Sequence, residues 1–228
     1  MLITIYNFFN DPSPQWRYRM KISEMNKLTK HFDRYFEADD CMVAHPTDGK
    51  EPHIDVLKYR PTAKYPFWKL ATMGASDYKM PKISNTLGCR NEYIMFVDKD
   101  VDLDDKEVYT WYHDRLCTVA MYAFLNKTHI TYAHCIDWKG SVAKDSGGED
   151  EEMVAAFIEF PMVIEDVALL DCRIGLFKAV TCLEVLLING AELEMLMKIG
   201  PQAFSEYLYP EEGGKIHFLS ERHRSEKF

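Results

Sequence analysis

The chain has 228 residues, 47% hydrophobic and 13% aromatic, with 27 basic against 36 acidic side chains and a net charge of −9. That length suits one large domain or two small ones, and burial of roughly 70–75% of the unfolded surface needs no disulfide or metal staple. The acidic balance argues against a generic binder of nucleic acid or anionic membranes, so neither is expected as a partner.

Residues 1–20 open on a short apolar run broken by Asp11-Pro12-Ser13-Pro14 and read as an accessory strand and turn. They lack the basic region, long apolar core and small-residue cleavage site of a secretory signal. No run reaches the roughly 18 apolar residues of a membrane span; the longest, Phe177 to Asn189, contains Lys178 and Glu184. The six cysteines (Cys41, Cys89, Cys117, Cys135, Cys172, Cys182) form no C-x-x-C. Reduced thiols in a cytoplasmic protein are therefore expected.

Residues 21–210 read as one domain. Ile22, Met25, Leu28, Phe32 and Tyr35 recur at helical spacing, with lysines and Arg34 on the other face. Three strands follow at Cys41–His45, His53–Tyr59 and Phe67–Met73, separated by proline-containing turns. Glu92–Val97 is a fourth strand, and Val108 to Leu125 a long helix behind an acidic segment. Ile130–Ile136, Met153–Phe160, Ala168–Ile174 and Ala179–Ile188 complete the strands, with Ser141–Glu152 as a polar loop. Asn189 and Glu192 have the spacing of a capping box for a closing helix, which Gly200-Pro201 interrupts before a further turn, Gln202–Tyr209. Residues 211–228 read as a polar, frayed tail. Strands interrupted by three helical segments, without strict alternation, predict an α+β fold, a mixed α/β sandwich with a central mixed sheet flanked by helices.

The motifs for chemistry are weak. Asp98, Asp100 and Asp102 alternate as at the start of a calcium loop, but Leu103 stands where glycine is needed and Tyr109 where a bidentate glutamate is needed. Negative charge ahead of a helix explains the run better. The histidines fit no zinc spacing, and neither a nucleotide-binding glycine motif nor a nucleophile elbow occurs. No metal, cofactor or catalytic residue is expected. The enzyme or metal alternative would need a cluster such as His113, His134 and Cys135 to converge in space.

One stretch is more specific. His53-Ile54-Asp55-Val56, Arg60-Pro61-Thr62, Pro66-Phe67-Trp68-Lys69-Leu70-Ala71-Thr72 and Gly74-Ala75-Ser76-Asp77 with Met80 follow one another in order. Together with Asn91–Val97, Trp111–Phe124, Cys182–Ile188 and Ala191–Glu194, they make residues 25–210 resemble the suppressor-of-fused-like domain. The resemblance implies the mixed sheet flanked by helices. In eukaryotic members a second domain helps clamp a transcription-factor peptide; here only 18 residues follow Pro210, so the single-domain type common in bacteria is implied. Such members are thought to be immunity proteins that bind and neutralise a toxin.

The expected function is thus a non-catalytic protein-binding domain, an immunity or antitoxin protein with a cognate, basic toxin steered by the acidic surface. The alternative is a general regulatory or chaperone-like module with another protein partner. The turn from Gly74 to Met80 lies where the resemblance places the peptide-facing surface. Gly74, Ser76, Asp77, Tyr78 and Met80 are its candidate contacts, with Tyr78 and Met80 as anchors. Trp138, beside a polar loop, is a further candidate hot spot. Asp98, Asp100, Asp102, Glu149 and Asp150 would complement a basic partner. An exposed N-terminal strand could also pair with its own copy as a homodimer, and the oligomeric state stays open.

Overall fold

The computed structural model describes residues 2–4, 20–45, 52–83, 88–138, 153–209 and 218–220. Their strands are β1 (Leu2–Thr4), β2 (Met42–Ala44), β3 (Asp55–Tyr59), β4 (Phe67–Met73), β5 (Asn91–Asp98), β6 (Cys135–Asp137), β7 (Met153–Glu159), β8 (Asp171–Gly175) and β9 (Lys178–Asn189). They form one sheet in the order β1-β6-β7-β9-β5-β4-β3-β2, with β8 paired to β9. Pairs β1–β6 and β5–β9 are parallel and the others antiparallel. The sheet is mixed, as expected, and Leu2–Thr4 supplies its far edge.

Helices cover both faces, which explains why the inner strands are apolar on both sides. Helix α2 (Lys106–Leu125) packs Tyr112, Leu116 and Val119 against Val56, Leu70, Met95, Leu183 and Val185. Its start is capped by the Asp105 carboxylate, which accepts from the amides of Glu107 and Val108. On the opposite face, α1 (Ile22–Phe36) buries Leu28, Phe32 and Phe36, at four-residue spacing, against Leu57, Tyr59 and Phe96. Helices α3 (Gly190–Ile199) and α4 (Pro201–Leu208) belong to a third apolar cluster, with Phe157, Leu186 and Ile188. The capping box at Asn189 and Glu192 forms as read, each side chain accepting from the other's amide at 2.9 Å.

Three expectations need correcting. The strand expected over Ile130–Ile136 is only Cys135–Asp137, because the chain turns at Ala133 with φ +64°. The strand expected over Ala168–Ile174 is a 3₁₀ turn (Val167–Leu170) followed by β8, since the Asp166 carboxylate caps the turn at the Ala168 amide. The α-helices number four among the described residues, α4 being a helix in its own right.

Within the segment expected to be a frayed tail, the described residues 218–220 are bonded into the sheet. Strands β5 and β9 pair only along Asn91–Ile94 and Thr181–Glu184, and residues 218–220 bridge them farther along. The Ser220 amide donates to the Phe96 carbonyl (2.8 Å), and its hydroxyl accepts from the Leu187 amide (3.1 Å). Phe218 sets its ring edge-on against Phe67 at 5.1 Å. Among the described residues no helix is long and apolar enough to cross a membrane.

Candidate protein-interaction surface

The turn after β4 is built on a buried carboxylate. Glu92, at the start of β5, is fully buried; it accepts from the amides of Gly74 (2.9 Å) and Ser76 (3.0 Å) and from the Thr72 hydroxyl (2.6 Å). Burial pushes this carboxyl up to about 6, against the opposing pull of those hydrogen bonds. From outside the turn, the Arg90 guanidinium donates to the carbonyls of Ser76 (2.6 Å) and Asp77 (2.9 Å). Amides and carbonyls of one short segment are thus fixed from both sides, and the turn is preorganised.

Gly74 is required there. Its φ is +125°, and an added Cβ would lie 2.3 Å from the His53 carbonyl oxygen. Gly74→Ala is expected to destabilise the protein by about 2–4 kcal/mol, from a disfavoured backbone conformation plus a backbone clash. The urea unfolding midpoint checks this; an unchanged midpoint would mean the turn does not pack against His53 as described.

Asp77 links the turn to two other elements. Its carboxylate accepts from the Met20 amide and from Lys178 Nζ (3.1 Å), and the same ammonium reaches Glu24 in the first turn of α1 (3.3 Å). Burial raises the Asp77 carboxyl, with Lys178 opposing. Lys178 opens β9 directly after the β8–β9 hairpin. In that hairpin Gly175 pairs with Lys178, leaving Leu176 and Phe177 as a two-residue tip. Phe177 is 97% and Leu176 85% exposed, and Ile22 at the start of α1 is 77% exposed.

Two-residue hairpin tips favour glycine, asparagine and aspartate. An apolar pair at such a tip contributes little to folding and stands in water. Here it sits on a segment that Lys178 joins to α1 and to the turn. The arrangement offers a partner apolar anchors on a fixed support, which lowers the ordering cost of binding. Leu176 and Phe177 were not among the residues singled out in the sequence. The available signal was an apolar pair between two strands, Gly175 on one side and Lys178 on the other.

The sequence-predicted residues divide sharply. Asp77 and Tyr78 belong to this surface, Tyr78 half-buried and edge-on to Phe124 at 5.6 Å. Gly74 is corrected from contact to support: it is buried against the His53 carbonyl and shapes the turn from within. Ser76 is fully buried and contributes through its backbone to the turn. Met80 is corrected from anchor to core: it is 3% exposed, and its sulfur accepts from the Ile130 amide at 3.3 Å. Trp138 is corrected likewise. It is 2% exposed, and its indole N–H donates to the Met153 carbonyl (3.3 Å), because the end of β6 closes over the α2 face.

The acidic run lies at the other end of β5 from Glu92. Asp98 accepts from the Asp100 amide (2.8 Å), and Asp102 from the amides of Asp104 and Asp105 (3.0 and 3.3 Å). Asp98 and Asp102 therefore shape the approach to α2, and both Asp100 and Asp102 are exposed. Glu149 and Asp150 lie outside the described residues.

The cluster required by the enzyme alternative does not assemble. His113 is on α2, whereas Cys135 packs with α3 and α4 on the opposite face of the sheet. Burial pushes the Cys135 thiol up to about 12, Cys172 to about 11 and Cys182 well upward. An activated nucleophile needs the reverse shift. Glu159 and Glu184 face each other across β7 and β9, both buried, and Tyr209 donates to Glu184 at 3.1 Å. Burial raises both carboxyls, but the pair is sealed from solvent at the end of α4.

Similarity to known proteins follows the same parts. The chain superposes on a structure described as the Sufu–Fu complex with a TM-score of 0.63 and 13% identity, over 89% of this chain and 91% of that one. A putative SUFU homolog from Neisseria gonorrhoeae matches at 0.60 and 12% identity, over 90% and 97%. Drosophila Suppressor of Fused matches at 0.63 and 14% identity; 89% of this chain aligns, spanning 51% of that one. No curated protein sequence matches. A sequence model of the suppressor of fused protein (SUFU) family matches residues 50–220. That span starts just before the His53 strand, takes in the Glu92-anchored turn and the β8–β9 hairpin, and ends on Ser220 between β5 and β9: the chain belongs to the suppressor of fused family.

Proposed function

We propose that this chain is a non-catalytic protein-binding domain, and that its partner is a cognate toxin which it neutralises in the cytoplasm. The observation behind the reading is Phe177, almost fully exposed beside Leu176 at a hairpin tip fastened to the Gly74–Met80 turn through Lys178 and Asp77. Aromatic anchors on rigid supports dominate binding energy at protein interfaces. The net charge of −9 favours a basic partner, which it would attract over long range. A structural relative described in a complex, Sufu–Fu, supports a protein rather than a small molecule as the ligand.

Affinity capture of the tagged chain from its native cells, followed by co-expression with what co-elutes, tests this. One stoichiometric basic protein whose toxicity the chain suppresses is the expected result. A stoichiometric partner without toxicity would instead establish a regulatory or chaperone-like module, and no saturable protein partner would overturn both readings.

A further inference from the structure

The sheet register brings together three side chains that the function above does not use. His53 and Asp55 are two residues apart in extended chain, so they share one side as the backbone enters β3. Strand β2 pairs antiparallel with β3, Ala44 opposite Val56, which puts residue 45 opposite Asp55 one step past the last rung. There His45 Nδ1 and His53 Nε2 lie 2.8 and 2.9 Å from the same oxygen, Asp55 Oδ1. All three atoms fall within 4.8 Å of one another. The carboxylate is 3% exposed, His53 30% and His45 62%, so the cluster is closed behind and open in front.

We propose that His45, His53 and Asp55 form a zinc site. Two imidazole nitrogens and one carboxylate oxygen match zinc's preferred donors, whereas calcium and magnesium favour oxygen shells. Tetrahedral bonds of about 2.0–2.1 Å place neighbouring ligand atoms about 3.3 Å apart. The His–Asp distances are a few tenths of an ångström shorter, as expected where ring N–H groups occupy the ion's place. Three protein ligands leave a fourth position for water or for a side chain brought by another molecule. The backbone behind the site is fixed, since Asp55 pairs with Met73 and the His53 carbonyl abuts Gly74. Sequence spacing did not show this site, because His45 reaches Asp55 through strand pairing and not through a local motif. Bound zinc would staple β2, the edge strand, to β3.

Zinc titration of the chelator-treated full chain, by calorimetry and thermal melting, tests the proposal. One zinc per chain and a raised melting temperature are expected, with calcium unable to compete. Loss of groups that merely orient metal ligands already costs about 10–100-fold in affinity, so His45→Gln and His53→Gln should each weaken binding at least tenfold. His113→Gln, on α2, should leave it unchanged. His45 is mostly exposed, so its variant keeps the fold and the comparison stays decisive. Absence of saturable zinc binding, or binding that His45→Gln weakens less than tenfold, would overturn the site.

Discussion

Replacing Glu92 with alanine is expected to cost about 3–5 kcal/mol, a large share of the roughly 5–15 kcal/mol that holds a domain folded. The variant removes the acceptor for three donors, the amides of Gly74 and Ser76 and the Thr72 hydroxyl. Each buried group left without a partner costs about 1–3 kcal/mol. The loss should concentrate in the turn, so amide exchange at residues 74–78 should accelerate beyond the global change. Equilibrium urea unfolding reads the total. A change below about 1 kcal/mol, the cost of an ordinary substitution, would show that the carboxylate does not hold the turn.

The same side chain gives a pH dependence of defined sign. Its folded pKa of about 6 lies above the ordinary 4.5, so between those values the folded state binds more protons than the unfolded one. Stability therefore rises as pH falls from 6 towards 4.5, and ionisation of Glu92 at neutral pH costs about 2 kcal/mol. Glu92→Gln keeps an acceptor for the two amides and cannot titrate. Stability of the wild type relative to this variant should increase over that window and be flat above it. A difference that falls as pH falls would mean the carboxylate is held ionised, with its pKa below the ordinary value.

Local information was well written into the sequence. Strand β4, the charged approach to α2 and the Asn189–Glu192 box each depend on neighbours within about four residues, and each formed as read; the α1 stripe formed in its middle, Leu28 and Phe32, while Phe36 extends the buried face and Ile22 stands exposed. What escaped depends on distant contacts. Met80 and Trp138 look like exposed anchors because polar residues flank them, yet Met80 folds under Ile130 and Trp138 onto Met153. The Phe218–Ser220 segment looks like tail because polar residues surround it, while its role depends on where β5 and β9 part. His45 meets Asp55 only through the β2–β3 register. Phe177 was visible as the start of an apolar run, but that it belongs to a tip and not to β9 follows from the Gly175–Lys178 pairing. The site's scaffold was legible and its anchors were not.

That difference gives two surfaces that mutagenesis can separate. Phe177→Asp should reduce partner capture about 30-fold or more, the loss of about 2 kcal/mol or above that marks a hot spot. Because the ring is 97% exposed, folding stability should move by no more than about 0.5 kcal/mol. The acidic segment is the competing surface, at the far end of β5. Asp100→Lys reverses an exposed charge there and should slow association modestly, more so at low salt, because rim charges act chiefly on encounter. Measured dissociation rates distinguish the two: Phe177→Asp should accelerate release, and Asp100→Lys should not. If the order is inverted, the partner sits on the approach to α2, and the Lys178–Asp77–Glu24 network is a structural brace between β9, the turn and α1. If both variants bind as the wild type does, the exposed tip has a role other than recognition and the proposed surface is wrong. Where Phe177→Asp does accelerate release, the smaller acceleration in Asp77→Asn, which weakens the brace while leaving Phe177 in place, measures how much of the anchor's strength comes from being held rigid.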